Sequence, residues 1–348
     1  MKNPYLSIVI AGRNDNYGGD FNQRLQNTLD WISHWVNHYH LPTELVFVNY
    51  NPLAENNSIT EMIRFPTVTT YFFTRIIEVA EDVHRELLGE GIRKPVPFFE
   101  FIAKNAGIRR ANGKFILCTN ADVVFDPQIF EFLSKQNLEE GVFYRATRVD
   151  FNSKEKLIFK GNEANFLAQI HRNVFKYFMR GGTYLLKSPL SLYTTFRLLN
   201  IYNFVRRLFY TAIYPFRKIT RIFYIPFSEE LFTFQYACNA SGDFFLMDKE
   251  SWLKERGYPE DTWIATHCDS LHLLMTAVSG VRQKNLPWLV YHQEHERRFN
   301  FDTENHDMNL MYHHLLANGA VMTSQKCSFN TNTDDWGIFN YDLEETNV

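Results

Sequence analysis

Residues 104–125 read KNAGIRRANGKFILCTNADVVF, and this stretch decides the fold. Its first half continues a helix-compatible run over 98–111, which the turn-forming pair Asn112 and Gly113 closes. Phe115, Ile116, Leu117 and Cys118 then form an unbroken apolar run, the pattern of a strand covered on both faces. The group Thr119, Asn120, Ala121 and Asp122 follows at once, ahead of Val123, Val124 and Phe125. A carboxylate at the carboxyl end of a buried strand lies where open α/β sheets gather their ligands. Asp122 is therefore a candidate ligand for a hard divalent cation, although Asp is equally an ordinary N-cap or turn residue.

The same alternation extends outward. Residues 5–11 (YLSIVIA) and 44–48 (ELVFV) read as further buried strands. Between them Leu25, Leu29, Ile32 and Val36 recur at the spacing of one helix face. Strands are expected within 68–80 and at 142–149, with a helix at 126–133. The α/β character returns near 240–245, with helices at 249–256 and 269–278 and a strand at 288–291. The expected fold is α/β, three layers around a mostly parallel sheet, with no internal repeat.

The chain has 348 residues and a formal net charge of −3, with 45% hydrophobic residues, which excludes a disordered or collagen-like chain. No run of about 18 uncharged apolar residues suggests a transmembrane helix, and the N-terminus lacks a signal-peptide pattern. Cys118, Cys238, Cys268 and Cys327 are widely spaced, as free thiols in a reducing compartment would be. The expected location is cytoplasmic, with peripheral attachment to the cytoplasmic membrane face as an extension of that reading.

That near-neutral charge conceals a segregation. Residues 164–228 contain ten Lys or Arg, sixteen aromatics and no Asp or Glu, so this block carries +10 and the remainder −13. Within it, residues 197–214 are amphipathic at helical spacing, with Asn200, Asn203, Arg207 and Thr211 opposite an apolar stripe. Three readings suit a basic, aromatic helix: a membrane-interface element, a helical subdomain with its own core, or a nucleic-acid surface. The first is the expectation, and no nucleic-acid partner is expected.

The spacing Asn105, Gly107, Ala111, Gly113, then strand, then Asn120-Ala121-Asp122, resembles the GT-A glycosyltransferases, in particular family 2. The opening strand, continuing into Gly12-Arg13-Asn14-Asp15, is similar to that family's first strand. The resemblance implies a transferase that moves a sugar from a nucleotide diphosphate-sugar to an acceptor hydroxyl, inverting by analogy. It implies donor contacts at Gly12, Arg13, Asp15, Asn49, Asn105, Arg109, Asn120, Ala121 and Asp122. Asn120 stands where the family's first DxD carboxylate falls, and Asn49 where the second strand normally ends in Asp. It also implies an acceptor contact at Asp243 and a general base at Asp269, at the start of a helix. A divalent metal, Mn2+ or Mg2+, would be held by Asp122 with His292, His295 being the reserve ligand. If the last strand ran on through both histidines, they would fall on opposite faces.

The implied organisation is a nucleotide-sugar half at 1–150, a helical basic insertion at 151–234, an acceptor half at 235–298 and a C-terminal extension at 299–348. A lipid-linked or membrane-held glycan is the expected acceptor. Two other classes stay open: a catalytically silent membrane-bound binding module, which Asn49 and Asn120 favour, and a metal-dependent phosphohydrolase. The cluster His34, His38, His40 has no acidic or cysteine partner nearby and reads as a helix end. Asp334-Asp335-Trp336 reads as a packing anchor more readily than as a lid.

Overall fold

The computed structural model describes residues 4–88, 97–152, 157–179, 182–220, 238–260, 268–296 and 332–348. The first part alternates: β1 (Leu6–Gly12), α1 (Phe21–His38), β2 (Thr43–Tyr50), α2 (Ile59–Met62), β3 (Phe72–Val79), α3 (Glu81–Leu88), α4 (Glu100–Arg110) and β4 (Phe115–Cys118). Then come β5 (Val123–Phe125), α5 (Pro127–Ser134), β6 (Val142–Phe151) and α6 (Glu163–Arg172). A hairpin of β7 (Val174–Met179) and β8 (Gly182–Leu185) leads into the long α7 (Leu192–Thr220). The chain closes with β9 (Phe245–Asp248), α8 (Lys249–Glu255), α9 (Cys268–Val278), β10 (Arg282–Gln293) and β11 (Glu344–Asn347).

One sheet of order β11-β3-β2-β1-β4-β9-β6-β10-β5 runs through the molecule, with the β7–β8 hairpin attached to β6. Its parallel character is concentrated in β3-β2-β1-β4 and in the β6–β10 pair; β9, β5, β11 and the hairpin are antiparallel to their neighbours. The sheet is thus mixed. β1, β2 and β4 are buried along their whole length, which is why they read as continuous apolar runs. Helices cover both faces: one core packs Leu25, Leu29 and Trp31 of α1 on the sheet, the other packs Ala103 and Ala106 of α4 with Trp252 and Leu274. These are the three expected layers.

The stretch that decides the fold is shaped by close approach. A Cβ on Gly107 would meet Val9 Cγ1 at 2.6 Å and Val48 Cγ2 at 2.9 Å, so only glycine lets α4 lie this near β1 and β2. A Cβ on Gly113 would strike the backbone of Leu6 and Ser7, the nearest atom 2.4 Å away. Asn105 is fully buried and clamps the loop after α8: its Oδ1 accepts from Tyr258 N at 2.8 Å, and its Nδ2 donates to Tyr258 O at 2.7 Å. This spacing of small residues therefore has a packing cause in its own right.

Two regions differ from expectation. The 151–234 segment is not purely helical, because β7 and β8 extend the sheet from β6. Within α7 the apolar stripe faces outward, the direction that the membrane-interface reading requires: Leu198, Ile201, Tyr202, Val205, Leu208 and Phe209 are 51% to 62% exposed. Residues 221–237, including Arg221, lie outside the described residues, as does Arg180. Toward the C-terminus, β11 pairs with β3, a strand that its polar sequence does not announce. Trp336 is buried in the second core, and Asp334 and Asp335 remain at the surface beside it, so this segment packs as an anchor.

Candidate active site

Asp122 leaves the end of β4 and turns the chain into β5, where His292 of β10 stands opposite Val123. β10 ends at Gln293, so the chain turns before His295 and both histidines reach the same carboxylate. His292 Nε2 lies 3.7 Å and His295 Nε2 3.2 Å from Asp122 Oδ2. One carboxylate and two imidazoles thus offer ligand atoms within 4.8 Å of one another. That donor set suits a divalent cation such as Mn2+ or Zn2+, which accepts mixed oxygen and nitrogen shells. A second triad, Asp150, His292 and Glu294, shares His292.

Arg24 of α1 enters the same cluster. Its Nη1 is 2.5 Å from Asp122 Oδ2, its Nε donates to Asp20 at 2.7 Å and its Nη2 to Tyr17 O at 2.5 Å. Burial disfavours the Asp122 anion, but His292, His295 and Arg24 outweigh it and hold the carboxyl well below the usual carboxylate range. Asp122 is a fixed anion at any physiological pH.

Behind His292 stands Arg148. It donates through Nε to Asp150 at 2.5 Å and through Nη1 to Asp243 at 2.9 Å, with Nη2 2.9 Å from His292 Nδ1. Asp150 Oδ1 approaches the same Nδ1 at 3.3 Å. Burial opposes ionisation of Asp150, but His292 and Arg148 overcome it and keep the carboxyl low. Arg148 can only donate, so its contact makes Nδ1 the acceptor and leaves the proton of a neutral ring on Nε2; for Nε2 to ligate a metal, an Nδ1 proton would have to face Asp150 in place of Arg148.

Asn120 explains its own identity. Its Nδ2 donates to Asp243 Oδ1 at 2.7 Å, and its Oδ1 accepts from the buried Lys104 ammonium. Only an amide can give and take at these two points; a carboxylate would face Asp243 as a second anion. Lys104 also pairs with Glu100 at 2.6 Å. Asp243, expected at the acceptor, is 2% exposed; one oxygen accepts from Asn120 and the other from Arg148, so it positions both of these residues. Asp269, at the first turn of α9, accepts from Gly242 N at 2.7 Å and Ser270 N at 2.8 Å. It is next to the loop that carries Asp243.

At the carboxyl ends of β1 and β2, Gly12 and Asn49 are register partners. Arg13 donates to Asn51 O at 2.5 Å and lies 3.5 Å from Asp15. Asn49 donates to Glu78 at 3.0 Å, while its buried Oδ1 has no hydrogen-bond partner among the described residues. An orphaned buried acceptor at this edge is suited to a ligand donor. Asp15 accepts from Tyr17 N at 3.2 Å, and Tyr17 O accepts from Arg24, so this edge and the Asp122 cluster are linked by one loop.

Two expected donor contacts stand elsewhere. Asn105 is consumed by the Tyr258 and Glu260 contacts, and Arg109 donates to Asp334 O and Trp336 O, both at 2.8 Å, with its guanidinium over the Phe339 ring. Asn105 thus holds the loop after α8 and Arg109 the C-terminal segment. Ala121 is buried under the turn. Sequence reasoning missed Arg24, Lys104, Arg148 and Asp150. The first three are cations at low exposure, and nothing local in the sequence marks that burial.

The fold and site define a three-layer α/β protein with a carboxylate–imidazole cluster at the carboxyl edge of its sheet. No family model matches the chain, and no curated protein matches it. Among solved structures it is similar to "Crystal structure of S. aureus TarS 1-349", with 10% identity and a TM-score of 0.46, over 91% of this chain and 66% of that one. It is also similar to "Crystal structure of GalNAc-T7 with UDP, GalNAc and Mn2+", with 12% identity and a TM-score of 0.41, over 85% of this chain and 45% of that one. The chain therefore spans less than two thirds of the length of either.

Proposed function

We propose that the chain is a metal-dependent glycosyltransferase that moves a sugar from a nucleotide diphosphate-sugar to an acceptor hydroxyl. The observation that carries this reading is the convergence of Asp122, His292 and His295 on one point at the ligand-binding edge of the sheet. Asn49 Oδ1 supports it as an unused acceptor for a nucleotide on the same edge. A divalent cation, Mn2+ by preference, would be held by Asp122, His292 and His295 and would offset charge on the departing diphosphate. Arg24 supplies a second positive charge beside Asp122, and Arg148 with Asp150 orients His292. Asp269 is the general base in this reading; each of its oxygens accepts one backbone N–H and keeps a lone pair for the acceptor proton. Inversion at the anomeric carbon follows from the family resemblance alone.

The test is a panel of nucleotide-sugars incubated with the full chain and Mn2+, read for nucleotide release and sugar transfer. Asp122→Ala should abolish turnover with at least one active donor. No turnover and no nucleotide binding with any donor would favour the silent binding module, for which the Arg24–Asp122 pair speaks, since a guanidinium there already balances the carboxylate. Phosphate release without transfer would favour the phosphohydrolase.

The reading extends to a membrane-held acceptor because α7 points its apolar stripe outward. A surface helix normally turns that stripe inward, and six large apolar side chains in a row call for a covering phase. No described helix is long and apolar enough to cross a membrane, so contact would be made along the surface. Co-sedimentation with anionic vesicles checks this: Ile201→Ser with Leu208→Ser should release the chain, and unchanged binding would refute it.

A further inference from the structure

A cleft of about 610 Å3 opens between α7 and the sheet, walled by β6, β7 and β10. It is separate from the site above, since Asp122, His292, His295 and Asp269 do not line it. α7 contributes Phe196, Arg197, Asn200, Asn203, Phe204 and Arg207, three and four residues apart and hence one helix face. Asn200, Asn203 and Arg207 of this face belong to the polar stripe that the sequence would send to solvent. Phe178 and Trp288 stand on the other walls, and Asn239 and Asn285 add two more amides. Arg145 lines it as well, with its guanidinium donating to Ser241 O at 2.6 Å and Ala240 O at 2.9 Å. Among the described residues no Asp or Glu lines the cleft.

Asn203 points to a ligand independently of that composition. It is only 7% exposed; its Oδ1 accepts from Tyr184 OH at 2.7 Å, while its buried Nδ2 donates to nothing among the described residues. A buried donor without an acceptor is costly, and a bound hydroxyl or oxyanion would satisfy it. Arg197, on the rim, has no acidic partner among the described residues.

The chemistry of these groups converges. Amides read sugar hydroxyls, aromatic faces cover the apolar faces of sugar rings, and arginine forks take planar or tetrahedral oxyanions. We propose that this cleft binds a sugar bearing an oxyanion, either phosphate or carboxylate, and holds that portion of the acceptor. The binding stands on the cleft itself; its role as an acceptor subsite rests on the transferase reading. A cleft under a helix whose outer stripe is apolar would hold the polar head of an amphipathic acceptor beside the loop that carries Asp243.

The test uses the full chain without metal or nucleotide, titrated calorimetrically with glucose 6-phosphate, glucuronate, glucose and inorganic phosphate. At least one anionic sugar should bind about tenfold more tightly than both glucose and inorganic phosphate, and the better of the two identifies the oxyanion. Arg197→Gln, at an exposed helix position where folding is not at risk, should weaken that sugar about tenfold and leave glucose unchanged. Asn203→Ala should weaken both sugars, and Asp122→Ala should change neither. Equal affinity for all four probes, indifference to Arg197→Gln, or loss of binding in Asp122→Ala would overturn the proposal. Transfer activity without anionic-sugar binding would sink this inference alone, whereas Arg197-dependent binding without transfer from any donor would sink the transferase reading and the acceptor role with it, leaving the binding site.

Discussion

Arg148→Met is the sharpest probe of the site's construction. The wild-type guanidinium sits among two buried carboxylates and an imidazole, with bonds of 2.5 Å to Asp150, 2.9 Å to Asp243 and 2.9 Å to His292. Methionine fills much of the stem volume but leaves the two carboxylates short of one cation. Asp150 would keep Lys176 Nζ at 3.5 Å and His292 Nδ1 at 3.3 Å; Asp243 would keep Asn120 Nδ2 at 2.7 Å. Removing one partner from a buried ion pair costs roughly 3–5 kcal/mol, and the surviving contacts place this variant near the middle, about 4 kcal/mol at pH 8. The sign with pH follows from Asp150, whose folded carboxyl lies below its unfolded value. That group stabilises the wild type above the unfolded pKa and loses its contribution as pH falls through the folded one. In Arg148→Met the burial of Asp150 is no longer offset by the guanidinium, so its carboxyl protonates more readily and the deficit should shrink between pH 8 and pH 5. Urea unfolding at both pH values measures it, and Arg148→Lys, which restores one charge without the fork, should recover part of the loss. A deficit below about 1 kcal/mol at pH 8, or one that does not change with pH, would refute the assigned role.

Burial, against hydrogen bonds from Asn105 and Gly337, pushes the Glu260 carboxyl up to about 7 from an ordinary 4.5, a gap of about 3 kcal/mol. The folded state holds that proton longer than the unfolded state, so the penalty is absent below pH 4.5 and complete above pH 7. Glu260→Gln should therefore stabilise the chain at pH 8 and be near neutral at pH 4.5, read by urea midpoints; equal shifts at both would contradict this. Gly107→Ala forces a methyl against Val9 and Val48 and should destabilise by about 1–3 kcal/mol, measured by thermal unfolding. A neutral result would show that α4 can lift from the sheet at no cost.

Much of the fold was legible because its central strands are buried on both faces. β1, β2 and β4 carry that burial as unbroken apolar runs, and Asp122 was readable as the polar residue that ends one of them. His292 and His295 were readable as candidates, but not their convergence, which depends on where β10 stops. Arg24 and Arg148 stayed hidden since a buried cation looks like a surface one, and the partners that bring them into the site, Asp122 and Asp243, are 98 and 95 residues away. Asn105 and Arg109 have contacts that the motif does not show, Asn105 to the loop after α8 and Arg109 to the C-terminal segment. For α7 the period was legible, but a sequence shows that a helix has two faces and not which one meets the sheet.

The position of β9 has a consequence for how the chain is made. β4 and β6 never touch along a ladder; β9 lies between them, and β10 flanks β6 on the other side. When β6 leaves the ribosome, the strands that must take its two edges within the main sheet are still about a hundred residues from synthesis. Meanwhile β3-β2-β1-β4 can assemble as a parallel unit whose β4 side is an open, apolar edge, the kind of template on which nascent chains join one another. Residues 245–248 are therefore a seal, four residues long, applied late. A chain stopped before them would be expected to aggregate in the cell even though most of its core had been translated.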